Sequence, residues 1–386
     1  MSNFDHHDPD QVDERHPRLE AMLKTGCPIN HNVRHGGFHS VARYRDLQDV
    51  VMNTKLFSSR IVSVPIDAFG NGTVIMPPIQ LDPPAHGQFR KLMLPSFTPR
   101  SVAQWEAMVR ENARSLVDGL VERGSCDAAE AFTRHIPTAL MARMLGVAPE
   151  DEALFLSLLR RIVEDGGKDP EDAFAAALEL GQYLVEAIER HKLEPADDLI
   201  GLMLDAEVDG DRLDLEGITA AAFLIVVAGI DTTYSVIGSA LWHLAQNPED
   251  RHRLITQPEL MPVAVEEFLR FYAPAVLGRV VTEDTEYKGT KMVKDDLMLL
   301  CFPAANRDPE VFPDADKFII DRPNNRHFAF GLGAHRCIGQ SVARMEVRVA
   351  LEEWLRRIPD FELDGLTPVS WATGPIWGPR ELHLKW

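Results

Sequence analysis

The strongest constraint on the fold lies near the carboxyl end of the chain, where Phe330 to Gly339 read Phe-Gly-Leu-Gly-Ala-His-Arg-Cys-Ile-Gly. Three of these ten residues are glycine, which permits backbone geometry and close approach that other residues resist. The stretch is therefore predicted to be a tight loop that lays its backbone against a flat partner and presents one thiol. A helical apolar period follows Gly339, so Cys337 is expected just before a helix N-terminus, where the helix dipole and free N–H groups favour a thiolate.

Several chemistries use a thiolate in such a position. It can act as a nucleophile, as a zinc ligand or as a haem ligand. A zinc site needs about four ligands at short, characteristic spacings. No second cysteine lies near Cys337, and His335 is a poor partner at two residues' distance. A buried structural cysteine is a further alternative, and the surrounding glycine pattern argues against it.

The whole chain is predicted to be mostly α-helical with small β-sheets (an α+β fold), forming one domain over residues 1–386. Hydrophobic residues make up 45% of the sequence, which is enough for a sizeable core. No internal repeat and no linker is apparent, and the polar residues 1–20 are expected to be a flexible tail. Helices, punctuated by glycine and proline, are predicted over residues 101–123, 131–146, 150–165, 171–191, 215–245 and 262–272. Strands are predicted within residues 277–301, 361–363 and 381–386.

The composition argues against several partners and compartments. A formal net charge of −19 disfavours nucleic acid as a partner. The four cysteines are scattered without paired spacing, which indicates a reducing compartment and no disulfide framework. The N-terminus lacks the apolar segment of a signal peptide. The longest apolar run, Ala220 to Ile230, has 11 residues, whereas a membrane span needs about 20. A soluble, cytoplasmic protein that does not bind membranes is expected.

A long helix is predicted over residues 215–245, roughly 45 Å in length at about 1.5 Å per residue. Its nearly continuous apolar sequence indicates burial on most sides. Asp231 is costly in such a helix unless it is paired or used. Thr232 can hydrogen-bond the carbonyl of Ala228 or Gly229 and distort the helix locally, and Gly229 leaves room for this. The pattern indicates a niche beside a ligand; a helix that merely holds one paired Asp is the alternative.

Two further pairs of polar residues stand at helical spacing. Glu267 and Arg270 are three residues apart, so they share one helix face and can pair, although an exposed pair of this kind contributes little to stability. His86 and Arg90 are four residues apart in a helix that follows Pro83-Pro84. Taken alone, this second pair fits any solvated helix face.

Together these motifs resemble those of the cytochrome P450 family over residues 40–386. The stretch from Phe330 to Gly339 is similar to the family's haem-binding loop, Phe-Gly-x-Gly-x-His-x-Cys-x-Gly, with every fixed position present. The resemblance implies a cytochrome P450 fold with a long buried distal helix over haem b and the cysteine loop below it. It also implies that Cys337 is the iron ligand and that further haem contacts come from the loop and the helix, namely Phe330, Gly331, Gly339 and Ala228.

The distal helix and the charged pairs extend the resemblance. Ala228-Gly229-Ile230-Asp231-Thr232 is similar to the motif Ala/Gly-Gly-x-Asp-Thr, which implies that Thr232 lies next to bound dioxygen and that Asp231 relays protons from solvent. Glu267 and Arg270 resemble the family's Glu-x-x-Arg. The implied structural partner of that pair is an Arg before the cysteine loop, a place that Arg322 occupies. The residues implied to bind the haem propionates are His86, Arg90, Arg279 and His335.

The implied reaction is monooxygenation, in which a C–H bond becomes C–OH and one oxygen atom leaves as water. The chain has no Gly-x-Gly-x-x-Gly nucleotide motif and no iron–sulfur cysteine cluster. Its electrons are therefore expected to come from a ferredoxin-type partner with an NAD(P)H-dependent reductase. A basic patch for this acidic partner is expected from Arg336, Arg344, Arg348, Lys91 and Arg100. The alternatives are a peroxide-driven peroxygenase of the same family and a haem sensor or carrier, and the intact Asp231-Thr232 pair argues against both.

By analogy with the family, the substrate pocket is expected to be lined by small and medium apolar residues. Two come from the irregular loop over residues 58–81, and the others come from the long helix, the segment before Arg279 and the C-terminal region. They are Val74, Met76, Leu224, Val227, Ala228, Ala275, Val276 and Ile376. Such a lining favours a small hydrophobic substrate, such as a terpenoid or a small aromatic compound, over a charged one.

Overall fold

The computed structural model describes residues 4–12, 14–64, 75–164, 169–208 and 211–386. Helices dominate this part of the chain, as the sequence predicted. In chain order they are α1 (Arg15–Lys24), α2 (Tyr44–Met52), α3 (Ala85–Met93), α4 (Pro99–Ala103), α5 (Glu106–Asp118), α6 (His135–Met144), α7 (Glu152–Leu159), α8 (Pro170–Leu193), α9 (Leu199–Asp205), α10 (Leu215–Gln246), α11 (Pro248–Thr256), α12 (Met261–Phe271), α13 (Phe302–Ala305) and α14 (Gln340–Arg357).

The strands are short and form small sheets. In chain order they are β1 (Asn30–Asn32), β2 (Phe38–Val41), β3 (Phe57–Ser58), β4 (Ser125–Asp127), β5 (Glu207–Val208), β6 (Asp211–Arg212), β7 (Leu277–Val281), β8 (Thr285–Tyr287), β9 (Thr290–Met292), β10 (Leu297–Leu300), β11 (Glu362–Leu363), β12 (Ser370–Trp371), β13 (Pro379–Glu381) and β14 (His383–Lys385). The largest sheet has the order β1-β2-β10-β7-β3, with β2 and β10 parallel and the other pairs antiparallel. A second sheet, β11-β14-β4, joins the chain end to the segment before α6.

Helix α10 is the centre of the helical layer. It packs against α6, α8, α12 and α14, and the main hydrophobic core forms around these contacts. Among the described residues it is the one helix with the length and hydropathy of a membrane span, but 67% of its most apolar window is buried inside the protein. An apolar helix covered on most sides by protein is a core helix, as the sequence predicted.

Some helix boundaries differ from the predicted ones. The helix expected over residues 101–123 is two helices, α4 and α5, and the one expected over residues 131–146 starts later, at His135. A π-helical turn at Ala129–Thr133 precedes it, and there the Thr133 hydroxyl donates to the Ala129 carbonyl at 3.4 Å. Side-chain bonding of this kind changes the local helix type without changing the apolar period.

The N-terminal segment differs from the flexible tail that the sequence predicted. Phe4 is 4% exposed and Leu19 is fully buried in a cluster that also contains Trp377. The His6 carbonyl accepts a hydrogen bond from the Gly374 amide at 2.7 Å. A polar terminus is ordered when a few apolar side chains anchor it. The mostly polar composition of residues 1–20 gave no indication of these anchoring residues.

Candidate active site

The loop before α14 places its thiol through backbone geometry. Gly331 and Gly333 have φ angles of 64° and 67°, the left-handed region that favours glycine. The Cys337 amide donates to the Phe330 carbonyl at 2.8 Å, which closes the loop. The Gly339 amide donates to the Cys337 sulfur, an interaction expected for a thiolate at the start of a helix.

The Cys337 side chain is accessible to solvent, yet protein atoms crowd around it on its other sides. This burial raises the pKa of the Cys337 thiol, while the Gly339 amide and the guanidinium groups of Arg90, Arg344 and Arg336 act to lower it. Ligation of a metal deprotonates a thiol outright. An accessible sulfur that has an amide donor and nearby guanidinium charges is therefore suited to act as a metal ligand.

Four basic side chains from three separate segments come together beside this loop. His86 and Arg90 lie on α3, Arg279 lies on β7, and His335 lies in the cysteine loop itself. The rings of His86 and His335 are 4.0 Å apart between centroids, and His335 Nε2 lies 3.0 Å from the Ser59 hydroxyl. The structure thus gathers the four residues that the sequence assigned to the haem propionates.

The electrostatics of this cluster indicate an anionic ligand. Burial, together with the charges of Arg279, His86 and Arg90, lowers the pKa of His335 to about 3. Burial also lowers the pKa of Arg279 to about 10, and Asp82 is the carboxylate that opposes this shift. Burial and Arg90 lower the pKa of His86, and Asp82 again opposes the shift. Among the described residues, Asp82 is the carboxylate that opposes these shifts. Four converging basic groups therefore have an excess of donors, which fits a ligand that carries two carboxylates.

Thr232 and Asp231 lie in the middle of helix α10. The Thr232 hydroxyl donates to the Ala228 carbonyl at 2.9 Å, one of the two acceptors that the sequence predicted. The helix remains α-helical through this point, so the expected local distortion is not seen. Gly229 instead makes room for α6, because a Cβ there would lie 2.6 Å from the Met141 sulfur.

Sequence reasoning missed Arg380, which lies on β13. Its Nη2 lies 2.8 Å from Asp231 Oδ1, and the Asp231 side chain is 4% exposed. Its Nη1 donates to the hydroxyl groups of Tyr234 and Ser235. No local pattern announces this contact, since the partners are distant in sequence and belong to elements of different type.

A small cavity of about 20 Å³ borders Asp231 on the side of α7. A cavity of this size holds about one water molecule when polar groups line it. Its lining includes Arg134, Arg160 and Tyr234 beside Asp231. The surface that faces the cavity is nevertheless almost entirely apolar, so the cavity itself offers the Asp231 carboxylate little hydrogen bonding.

The trio that the sequence assigned a structural role is also assembled. Arg270 donates to Glu267 through Nε at 2.8 Å and Nη2 at 2.7 Å, and Arg322 Nε lies 3.0 Å from the Glu267 Oε1. Both Glu267 and Arg270 are fully buried. Arg270 further donates to the Asn306 carbonyl at 2.8 Å, so the trio anchors the irregular segment that leads to the cysteine loop.

The predicted pocket residues divide into several groups. Leu224 and Val227 are half-buried and Ala228 is exposed, as expected for a helix face that borders an open space. Ala275 forms an isolated antiparallel bridge with Ile376, which brings those two segments together.

The other pocket residues lie elsewhere. Val276 points the other way, into the core cluster that contains Phe4 and Leu19, because successive residues of an extended segment face opposite sides. Its assignment to the pocket is therefore corrected. Met76 is buried, and Val74 lies outside the described residues.

The sequence suggested that the basic residues around the cysteine loop form a free basic patch. In the structure, two of them form ion pairs within the protein. Arg344 forms two contacts with Glu266, at 2.6 and 3.0 Å. Arg348 pairs with Glu106 at 2.6 Å and with Glu352 at 3.2 Å. These internal ion pairs neutralise two members of the expected patch. Its other members, Lys91, Arg100 and Arg336, are exposed and form no ion pair with the described residues.

Comparison with known proteins agrees with this arrangement. Residues 24–365 match the family described as Cytochrome P450. The chain is 33% identical over 378 residues to the "Putative cytochrome P450 YjiB" of Bacillus subtilis, covering 96% of this chain and 93% of that protein. It is 35% identical over 294 residues to the "Steroid C26-monooxygenase" of Mycobacterium tuberculosis, covering 74% and 78%. The solved structure of the Bacillus subtilis cytochrome P450 PksS superimposes with a TM-score of 0.89 at 27% identity, covering 99% of both chains.

Proposed function

The chain belongs to the cytochrome P450 family, and on that premise we propose how its residues serve a monooxygenase reaction. Members of the family are monooxygenases that bind haem b through a cysteine thiolate. We propose that this enzyme hydroxylates a small hydrophobic compound with O₂ and with electrons from a separate ferredoxin. One observation carries the proposal. The accessible thiol of Cys337 lies beside a converging cluster of four basic side chains, and among the described residues these basic side chains are not balanced by an equal number of carboxylates.

Haem binding is assigned to the elements that meet at the cysteine loop. Cys337 would hold the iron, and the Gly339 amide would moderate the basicity of its sulfur. His86, Arg90, Arg279 and His335 would bind the two propionates by charge-assisted hydrogen bonds. Contacts with the ring plane are assigned to Phe330, Gly331, Gly339 and Ala228.

Proton delivery is assigned to the middle of α10. When bound, the haem supplies the activation of dioxygen, so that one oxygen atom enters a C–H bond of the substrate and the other leaves as water. That reaction consumes two electrons and two protons. The Thr232 hydroxyl would position the proton at the oxygen, and the Asp231 carboxylate would connect it to solvent. Support comes from the Arg380 ion pair, which holds the Asp231 carboxylate in place.

Electron delivery is assigned to the face that carries Lys91, Arg100 and Arg336. Helix α14, which follows the cysteine loop, packs against α4, and Arg336 acts electrostatically on Arg90 of α3, so the elements that carry these residues are neighbours. In a chain of net charge −19, a local excess of free basic side chains favours an acidic partner. A ferredoxin with an NAD(P)H-dependent reductase is the proposed source of electrons.

The proposed substrate is small and hydrophobic, of the terpenoid or small aromatic class. The support is the apolar character of the residues on the open face of α10 and at the bridge between Ala275 and Ile376. The name of one relative refers to a steroid, and steroids are largely apolar compounds. We further propose a soluble enzyme of the bacterial cytoplasm, in keeping with the buried position of α10.

The experiment that tests the proposal has two stages. The haem-loaded protein is first screened against terpenoids and small aromatics for ligand-induced changes in the haem spectrum. A compound that binds is then incubated either with NADPH, O₂, ferredoxin and reductase, or with hydrogen peroxide alone. Hydroxylated product that depends on NADPH and the ferredoxin is the expected result. Product formed equally well with peroxide alone would indicate a peroxygenase, and no product under either condition would contradict the assigned reaction.

A further inference from the structure

Helix α12 presents two consecutive carboxylates, and the structure uses them differently. Glu267 is fully buried and belongs to the trio described above. The neighbouring Glu266 has a side chain that is 28% exposed, and it faces the cysteine loop. It accepts from Arg344 Nε at 2.6 Å and Nη2 at 3.0 Å, and it lies 3.1 Å from His327 Nε2. Three elements therefore meet at this one carboxylate: α12, α14 and the segment that enters the loop.

The role of His327 follows from its second ring nitrogen. The Ala329 amide donates to His327 Nδ1 at 3.2 Å, so Nδ1 is the acceptor and Nε2 carries the hydrogen that points to Glu266. A neutral imidazole satisfies both contacts. His327 thereby ties the backbone of the incoming loop segment to α12, and its side chain is 2% exposed.

Arg344 reaches the loop from the other side. Its guanidinium carbon lies 4.5 Å from the centre of the Phe330 ring, a distance typical of a cation–π contact. Phe330 opens the cysteine loop, and its carbonyl accepts the Cys337 amide at 2.8 Å. The two bonds to Glu266 fix the plane of the guanidinium, and the stacked ring in turn fixes the residue whose backbone holds Cys337.

The electrostatics agree with a fixed ion pair. His327 and Arg344 lower the pKa of Glu266 to about 2, against the opposing effect of burial. Both charged side chains are nonetheless partly exposed, Arg344 by 31% and Glu266 by 28%. A partly exposed pair contributes little to global stability. Its main effect is therefore expected to be on local geometry.

We propose that Glu266, Arg344 and His327 form a positioning cluster that holds the cysteine loop in the geometry needed for iron ligation, separately from the buried trio around Glu267. The trio binds the segment before the loop, through carbonyl groups such as that of Asn306. The positioning cluster acts on the loop itself at Phe330, and on the residues just before the loop through His327. The inference depends on the proposed role of Cys337 as the haem ligand.

The test measures how long thiolate ligation survives. Glu266→Gln and Arg344→Lys variants are purified with haem, reduced and bound to carbon monoxide. The decay of the thiolate-specific absorbance band is then followed in mild denaturant. Arg344→Lys keeps the charge but loses the planar fork and the ring stacking. We expect both variants to lose the band about two- to fivefold faster than the parent, because each loses one partly exposed contact of this kind. The midpoint of global unfolding should change little.

Matched controls separate loop positioning from a general loss of ion pairs. Arg356→Lys makes the same change on the same helix, in a pair with Glu353 at 2.7 Å. Glu106→Gln removes a half-buried carboxylate that pairs with Arg348. Both controls should keep the parent rate, and Glu266→Asp, which retains a carboxylate, should recover part of the lost lifetime.

The possible results distinguish a failure of this inference from a failure of the proposed function. When the parent has the thiolate band and Cys337→Ser lacks it, the role of Cys337 stands. In that case equal decay rates in the parent and in both cluster variants overturn the inference, and so does a faster decay that only parallels a lower unfolding midpoint. A parent without the thiolate band would instead remove the proposed function, and the inference with it.

Discussion

The Nη2 atom of Arg380 lies 2.8 Å from the Oδ1 atom of Asp231, which joins the last part of the chain to the middle of its central helix. Strand β13 approaches α10 closely, since a Cβ added to Gly238 would lie 2.9 Å from the Pro379 ring. The Arg380 guanidinium is also 4.9 Å from the centre of the Tyr234 ring. The arginine is thus held on several sides. This is how an apolar helix tolerates a carboxylate side chain that is 4% exposed.

The first prediction concerns the energetics of this pair. Arg380→Gln leaves the Asp231 carboxylate buried without its ion pair, so we expect a loss of about 3 kcal/mol in the free energy of unfolding. Asp231→Asn added to Arg380→Gln should restore part of that loss, because no unpaired charge remains. Urea unfolding of the parent, both single variants and the double variant gives the coupling energy, with about 1–3 kcal/mol expected. Arg18→Gln, in an exposed pair with Glu14, is the control. Strictly additive losses would contradict the pairing.

The second prediction concerns the proton relay. Thr232→Ala removes the hydroxyl but keeps a good helix former, so haem and substrate should still bind and oxygen should still be consumed. Product per NADPH should fall by roughly tenfold or more, and hydrogen peroxide should rise. Asp231→Asn should instead slow turnover. Thr219→Ala is a matched control, because Thr219 makes the same hydrogen bond on the same helix, to the Leu215 carbonyl at 2.7 Å. Undiminished coupling in Thr232→Ala would disprove the assigned role.

The local features of this fold could be predicted from the sequence, and the long-range pairings could not. The apolar period of α10 and the glycine pattern around Cys337 are local, because each follows from the conformational needs of a few consecutive residues. The ion pairs of Arg380 with Asp231 and of Arg344 with Glu266 join distant segments. No local pattern encodes which of many arginines faces which carboxylate.

The errors at the pocket and the N-terminus have a similar origin. Ala275 and Val276 are both small and apolar, and which of them faces the open side depends on the orientation of the extended segment. Phe4 is one of the few apolar residues in a polar segment, and its anchoring role depends on a hydrophobic surface formed near Trp377. Tertiary context of this kind is not present in composition or periodicity.

The third prediction tests the iron ligand. Cys337→His should abolish the absorbance band that the reduced carbon-monoxide complex owes to a thiolate ligand. The spectrum is normalised to bound haem, so that a lower haem occupancy of the variant does not imitate loss of the band. Cys27→Ser is the control, since Cys27 is exposed on a different segment. A Cys337→His protein that keeps the band would exclude Cys337 as the ligand.

The fourth prediction concerns the docking face. Lys91→Glu combined with Arg100→Glu reverses two exposed charges that form no ion pair with the described residues. We expect the rate of reduction by an acidic ferredoxin at low salt to fall by about tenfold, with a weaker salt dependence and normal substrate binding. Lys24→Glu, on α1, changes the net charge at another site and should have a small effect. Reduction rates that stay unchanged in the double variant would place the docking site elsewhere.

The fifth prediction rests on Glu346, which is fully buried in α14. Neither of its carboxylate oxygens has a hydrogen-bond partner among the described residues, and burial raises its pKa well above the usual value of 4.5. Below pH 4.5 the Glu346 carboxyl is protonated in both the folded and the unfolded chain, so its full contribution to stability is present. Above it the unfolded chain ionises while the folded chain stays neutral. The free energy of unfolding should therefore fall by up to about 1.4 kcal/mol per pH unit until the folded pKa is reached.

Glu346→Gln keeps the shape and removes the titration, so it should abolish this fall between pH values just above 4.5 and neutrality. Glu353→Gln is a control on the same helix, because Glu353 is expected to change the free energy of unfolding with pH in the opposite direction. The hydrogen bonds from Arg356 and Arg110 lower the pKa of Glu353 despite its burial, so its stabilising effect is present above 4.5 and is lost in acid. Urea unfolding of the haem-loaded protein across this pH range measures both. A parent whose stability shows the same pH dependence as Glu346→Gln would mean that Glu346 is ionised in the folded state.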